Sequence, residues 1–297
     1  MTNDQFSIHV PVLQKEVIEY LDPKSNENFI DCTIDGGGHV LSILEKTKPN
    51  GKLLGIDWDP ELIKNLESRI QNLEFDKRLI LVCDSFVNLR EIVKKEKFES
   101  ISGILFDLGL SSWHLEESKR GFSFLKDEPL IMRYDGDTTK LTAEKIINDW
   151  PEIEIERILR DYGEEKFAKS ISKKIIQNRP IKSTLKLVAV IKKAIPGRYL
   201  NYRINFATRT FQALRIAVNE ELNNLEKALP QASEVLETNG RLAVISFHSL
   251  EDRIVKNFFK TTSCLKILTK KPIRSSEEEI KINPRSRSAK LRAAIKI

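Results

Sequence analysis

Cysteine, histidine and methionine are scarce in this 297-residue chain, with three, four and two copies. Cys32, Cys83 and Cys264 form no C-x-x-C pair and the histidines have no ligand spacing, so neither a metal site nor a disulfide framework is expected. The thiols read as reduced and mostly buried, Cys32 and Cys83 within apparent strands. No apolar run approaches the roughly 18 residues of a membrane span, and Met1 to Gln5 is polar, which argues against an anchor or signal peptide. A cytoplasmic protein without a membrane partner is expected. There is no G-x-S-x-G nucleophile elbow and no P-loop, which sets aside the commonest serine hydrolases and nucleoside triphosphatases.

Positive charge, by contrast, is in modest excess: 49 Lys and Arg against 43 Asp and Glu. A small net charge says little about partners, but its distribution says more. Lys192, Lys193, Arg198, Arg203 and Arg209 crowd one stretch, and Arg285, Arg287, Lys290, Arg292 and Lys296 load the C-terminal tail without an acid among them.

With 40% hydrophobic residues, the chain can bury one large core or two ordinary ones. Phe29–Ile34, Lys52–Asp57, Leu79–Cys83 and Ile101–Leu108 are short runs apolar on both faces and separated by helical lengths, the rhythm of a parallel sheet. After Leu110 the rhythm stops. Amphipathic helices are predicted over Leu141–Trp150, Glu152–Asp161, Lys166–Gln177 and Thr184–Ile195, followed by a basic loop over Arg198–Phe206. One long helix from Phe211 to Leu229 is predicted to lay its stripe on the sheet. Arg241–Phe247 reads as a fifth strand, Leu265–Leu268 as a further one, and Leu291–Ile297 as an edge or antiparallel strand. Ser275–Lys281 reads as a solvated loop. The expectation is a doubly wound α/β domain over 1–112 and 207–297, interrupted by a helical domain over 113–206.

The first half of that sheet carries a cofactor signature. Asp35-Gly36-Gly37-Gly38-His39 follows the first strand, and Asp57 ends the second, placed to accept hydrogen bonds from ribose hydroxyls. A dinucleotide site would want a third glycine where Leu41 stands, so the turn favours S-adenosylmethionine over NAD. Ligands of such sheets bind beyond the carboxyl ends of the strands. There lie Asp84-Ser85-Phe86, Asp107 to Ser112, and Ser246 to Arg253. Structural duties compete: Asp84 and Ser85 suit a helix cap, Glu251 and Asp252 a first helical turn, and His248 a hydrogen-bonded loop.

His9 to Val12, Asp31 to His39, Asp107 to Ser112, Arg120 to Phe124, Ala207 to Ile216, Ser246 to Lys256 and Asn283 to Ser288 together resemble, in order, the bacterial ribosomal RNA small-subunit methyltransferase H family, also called MraW. The resemblance implies a Rossmann-like S-adenosylmethionine methyltransferase sheet with an inserted helical substrate-recognition domain. It also implies N4 methylation of a cytidine in the decoding centre of 16S rRNA, with the small ribosomal subunit as partner. It leaves a homodimer open. Carried over by position, it implies cofactor contacts at Gly37, Gly38, His39, Asp57, Phe86, Asp107 and His114, with Phe86 flanking adenine. Departures from the family pattern are Asp35 for glycine, Val40 for serine or threonine, Ile131 for an acid, Asn205-Phe206 for His-Pro and His114 for glutamine.

For such a reaction Asp107 is the candidate acceptor for the amino group, or else a purely cofactor-binding carboxylate. Ser111, Ser112, Ser246 and His248 are candidates for gripping the base, and Arg209, Arg253, Arg285 and Arg287 for phosphate. For Arg292 and Lys296 a solvated strand face is expected. The rival readings are an NAD-dependent oxidoreductase and a non-enzymatic ribosome-assembly factor that keeps a cofactor fold.

Overall fold

A computed structural model describes residues 11–70, 75–200 and 204–297. His9 and Val10 of the first motif, and Arg203 of the basic cluster, lie outside them. The chain forms two compact units, one of residues 1–109 and 222–297, the other of residues 110–221.

The first unit is an α/β sheet domain. Its elements up to the insertion are α1 (Gln14–Leu21), β1 (Asn28–Asp31), α2 (Gly38–Lys46), β2 (Leu53–Asp57), α3 (Pro60–Ile70), β3 (Leu79–Cys83), α4 (Leu89–Lys95) and β4 (Ile101–Leu108). The first strand is shorter than its apolar run, because the chain turns at Thr33 rather than continuing to Ile34.

The second unit is helical: α5 (Ser112–Glu116), α6 (Ala143–Asp149), α7 (Glu152–Asp161), α8 (Ala168–Gln177), α9 (Thr184–Ala194) and α10 (Thr208–Asn219). Each of the last five has an apolar face at three- and four-residue spacing, and those faces bury Ile147, Ile158, Ile171, Ile191 and Leu214 in a common core.

The sheet domain resumes with α11 (Glu221–Val235), β5 (Leu236–Ser246), α12 (Ser249–Thr261), β6 (Leu265–Ile267), α13 (Glu277–Ile282) and β7 (Lys290–Lys296). Strand order is β3-β2-β1-β4-β5-β7-β6. The first five strands are parallel, and β7 runs antiparallel between β5 and β6. The sheet is Rossmann-like, and its order reverses between β1 and β4, the switch point where such sheets open a crevice.

Several expectations need correction. The long helix is two, because Glu220 takes a left-handed conformation (φ 50°) and donates its N–H to Ile216 O. Asn219 fixes the break: its buried side chain donates to Met132 O (2.7 Å) and accepts from Tyr134 N (3.1 Å). Phe211 and Leu214 therefore face the helical core while Leu225 and Leu229 face the sheet. The helical unit thus runs to Glu221 rather than ending at 206, and begins at Leu110.

The expected loop around Ser275–Lys281 is helix α13, started by Ser276 Oγ accepting Glu279 N–H. The final strand β7 is antiparallel, one of the two forms expected of it, and the sheet edge is β6. Arg292 is buried against Asp252, with Nε 2.6 Å from Oδ1, and Lys296 Nζ donates to the carbonyls of Glu234 and Leu236, so neither projects freely from a solvated face. Cys32 is buried as expected, but Cys83 is exposed and Cys264 partly so.

Candidate active site

The crevice is built from the turn that links β1 to α2. The N–H of Thr33 bonds Asp31 Oδ1 (3.1 Å) and the N–H of Gly37 bonds Ile34 O (2.8 Å), closing a tight loop. Gly37 is favoured as glycine: it sits at φ 78°, where other residues are strained, and a Cβ there would lie 2.8 Å from the tip of the Leu66 side chain. Asp35 also takes a left-handed conformation, φ 44°, which an aspartate tolerates better than most side chains do. This explains physically why a glycine fits the same position. Val40, the next departure, is buried in the core beneath α2.

Asp57 is held from two sides. Its Oδ2 accepts the N–H of Asp35 at 3.1 Å and its Oδ1 accepts the N–H of Asp59 at 2.9 Å. After β3, Asp84 Oδ1 accepts from Ser85 N and Asn88 Nδ2, and Ser85 Oγ accepts from Val87 N, so both residues cap the short turn that follows. Phe86 heads that turn, its ring edge-on to the buried Phe106 with centroids 5.6 Å apart.

At the centre stand His39 and Asp107. His39 is 5% exposed in the first turn of α2, and its Nε2 lies 3.5 Å from Asp107 Oδ2. Among the described residues neither ring nitrogen has a hydrogen-bond partner, and neither does Asp107 Oδ1. Orphaned polar atoms of this kind are costly unless something else satisfies them.

Two residues missed by the sequence reading support them. Thr33 Oγ1 accepts the backbone N–H of Asp107 at 2.6 Å and lies 3.5 Å from Asp31 Oδ1. Asp31 is 1% exposed; burial pushes its carboxyl up to about 7, opposed by nearby His39 and reinforced by Asp107 and Asp57. The available signal was an acid at the end of β1, matching Asp57 and Asp107 at the ends of β2 and β4.

The loops after β4 and β5 meet. A Cβ on Gly109 would lie 2.8 Å from the Phe247 ring, so the ring packs directly on the glycine. Ser246 is buried beside Leu108 in register, with Oγ donating to Lys290 O at 3.4 Å. His248 is the N-cap of α12: Nδ1 accepts Glu251 N–H (3.4 Å), and Glu251 Oε2 accepts the N–H of Phe247 (2.8 Å) and of His248 (3.3 Å). This reciprocal capping box gives His248 and Glu251 structural duties.

Of the arginines, Arg253 is exposed beside a groove of about 440 Å³ between α11 and α12. Arg285 is partly exposed and Arg287 exposed in the turn before β7, whose start is capped by Asn283. Ser111, Ser112, His114, Ile131 and Arg209 belong to the helical unit. There Ser111 caps α5, His114 lies edge-on to Phe122 and Tyr134, and Arg209 Nη1 donates to Glu164 O at 2.8 Å. Asn205 Oδ1 accepts the N–H of Ala207, opening the approach to α10.

A turn with a glycine at positive φ, an acid fixed from two sides on β2 and orphaned polar atoms on the β4 side of the turn suit a zwitterionic, ribose-bearing cofactor. A profile of the MraW methylase family matches residues 6–297. Ribosomal RNA small subunit methyltransferase H of Thermotoga neapolitana is 47% identical over 289 residues, covering 96% of this chain and 95% of that protein. The protein of the same name from Thermosipho melanesiensis is 49% identical over 292 residues, covering 97% of this chain and 98% of its own. Hydride transfer from NAD is thereby set aside. On the site's geometry and this near-complete match, the chain belongs to the MraW methylase family, whose methyl donor is S-adenosylmethionine.

Proposed function

We propose that this protein methylates small-subunit ribosomal RNA, transferring a methyl group from S-adenosylmethionine to N4 of a cytidine in the decoding centre of 16S rRNA. The observation that carries the reading is the buried pair His39 and Asp107, whose orphaned polar atoms lie at the switch point of a methylase sheet. The names borne by the relatives supply the substrate class.

S-adenosylmethionine, when bound, supplies an electrophilic methyl group on a sulfonium. Gly37, Gly38 and His39 would hold its amino-acid end, Asp57 its ribose and Phe86 its adenine, with His114 as a further contact. Cytosine N4 is a weak nucleophile because its lone pair is delocalised into the ring. Asp107 Oδ1 would accept a hydrogen bond from the amino group, orienting the lone pair and stabilising the charge that develops there. Thr33 holds Asp107 through its backbone and Asp31 stands behind Thr33. Ser111 and Ser112 remain candidates for gripping the base, while Ser246 and His248 serve through loop geometry.

A structured cytidine must leave its stack to react, at a cost of a few kcal/mol. Phosphate contacts from Arg209, Arg253, Arg285 and Arg287, with the helical unit, would offset it. Mass spectrometry of 16S rRNA from cells with and without the gene tests the reading. A lost N4-methyl mark at a decoding-centre cytidine is expected; an unchanged methylation pattern would defeat it. Asp107→Asn should cut turnover while leaving cofactor affinity largely intact. Cofactor binding with no transfer to small-subunit particles would instead favour an assembly factor.

A further inference from the structure

Residues 166–219 contain thirteen lysines and arginines and no acidic residue. At the chain-wide frequency of 43 acids in 297 residues, about eight would be expected in such a stretch. The preceding α7 behaves oppositely: Glu154 and Glu156 pair with Arg157 and Arg160 along the same helix. Charge is therefore segregated within one folded unit.

The geometry concentrates the excess. Helices α8 and α9 pack against each other, and Ser170 Oγ donates to Ala194 O at 2.6 Å, which sets the start of α8 beside the end of α9. Their apolar faces, with Ile171, Ile175, Leu187 and Ile191, point into the core, leaving Lys169, Lys173, Lys192 and Lys193 exposed around that junction. Lys182 and Lys186 are exposed near the opposite end. Among the described residues none of these six forms an ion pair. Clustering uncompensated lysines opposes folding by self-repulsion, so a fold that does so has a use for an anion there.

We infer that the α8–α9 face is a docking surface for the phosphate backbone of double-helical RNA, separate from the arginines proposed for the target strand. Lysines are compact point charges suited to phosphate, and the exposed positions of both helices carry no aromatic ring on which a splayed base could stack. Along α9, Lys186 and Lys193 are separated by roughly 10 Å of helix rise, enough to reach different phosphates of one strand. Such contacts would fix the orientation of the protein on a structured RNA without reading its sequence. The inference rests on the proposed rRNA substrate and adds where the surrounding RNA is held.

The test is the full-length chain with Lys169, Lys173, Lys192 and Lys193 all changed to Gln, against a control with Lys52, Lys64, Lys94 and Lys95 changed to Gln. Fluorescence anisotropy with a labelled 20-base-pair RNA duplex, across a salt series, reads affinity and counterion release. The α8–α9 variant should bind at least tenfold more weakly, with the slope of log K against log salt reduced by roughly 3. The control should match wild type. Equal slopes for the two variants, or the same loss toward single-stranded oligouridylate or polyglutamate, would overturn the inference. Wild type that binds duplex normally but transfers no methyl group to rRNA would defeat the proposed reaction and leave this surface standing.

Discussion

The carboxylate of Asp57 accepts the backbone N–H of Asp35 across the gap between β2 and the glycine turn, at 3.1 Å. The bond uses the main chain of residue 35 and does not depend on its side chain. Replacing Asp57 by Ala should therefore both unfasten the turn and remove the ribose acceptor. Calorimetry with S-adenosylhomocysteine is expected to show a loss of tenfold or more; unchanged affinity would mean the cofactor is held elsewhere.

Asp35→Gly keeps that N–H and removes the strain of a side chain at φ 44°. Gain from relieved strain competes with the greater freedom glycine gives the unfolded chain. The net change should stay within about 1 kcal/mol, a shift of only a few degrees in a thermal melt, with cofactor affinity retained.

Gly37→Ala should behave quite differently. The new methyl meets Leu66 and sits at φ 78°, so a loss of about 1–3 kcal/mol is expected by chemical denaturation. Adding Leu66→Ala opens space but cannot cure the backbone strain. The double variant should therefore regain none of the cofactor affinity that alanine at residue 37 removes.

Asp31 makes stability depend on pH. Its carboxyl is raised to about 7 in the folded protein from 3.8, chiefly by burial, so between these values the native state binds the extra proton. Stability then falls as pH rises from about 4 to 7, at up to about 1.4 kcal/mol per pH unit. Asp31→Asn can still accept the Thr33 N–H and never ionises. Melting curves between pH 5 and 8 should show a flatter dependence for the variant and a higher midpoint at pH 8.

Burial acts in the opposite direction to a cation at Asp252. Desolvation raises that carboxyl, yet the Arg292 guanidinium and nearby Lys290 hold it below the usual carboxylate range. Removing Arg292 strands a half-buried charge, and Arg292→Ala should cost about 2 kcal/mol in denaturant titration. Asp252→Asn/Arg292→Met should recover part of that loss.

These residues also show where sequence was informative. Parallel strands read as continuous apolar runs, so β2, β3 and β4 were legible within a residue, although β3, at the sheet edge, is only partly buried. The positions of the glycine turn after β1, of Phe86 after β3, and of Asp57 and Asp107 at the ends of β2 and β4 were legible from the same runs. The break at Glu220 was not, since α10 and α11 each present an apolar face and the period runs through the junction although the faces meet different cores. Arg292 looked solvated because alternation along a strand assigns a side, and only tertiary structure shows that α12 supplies an acid on that side. For His248 a base-gripping role competed with a structural one, because capping uses the same side chains as catalysis.

The insertion between β4 and β5 has a kinetic side. These two strands are hydrogen-bonded neighbours, yet everything from Gly109 to Val235 separates them in the chain. Closing so long a loop costs about 1.5–2 kcal/mol more than closing an ordinary crossover. The helical unit, built from contacts between sequential neighbours such as α7 with α8 and α8 with α9, can form before that cost is met. Refolding should accordingly show an early helical signal and a later one as β5 joins β4, the slow event being the search of one strand for a partner made long before it.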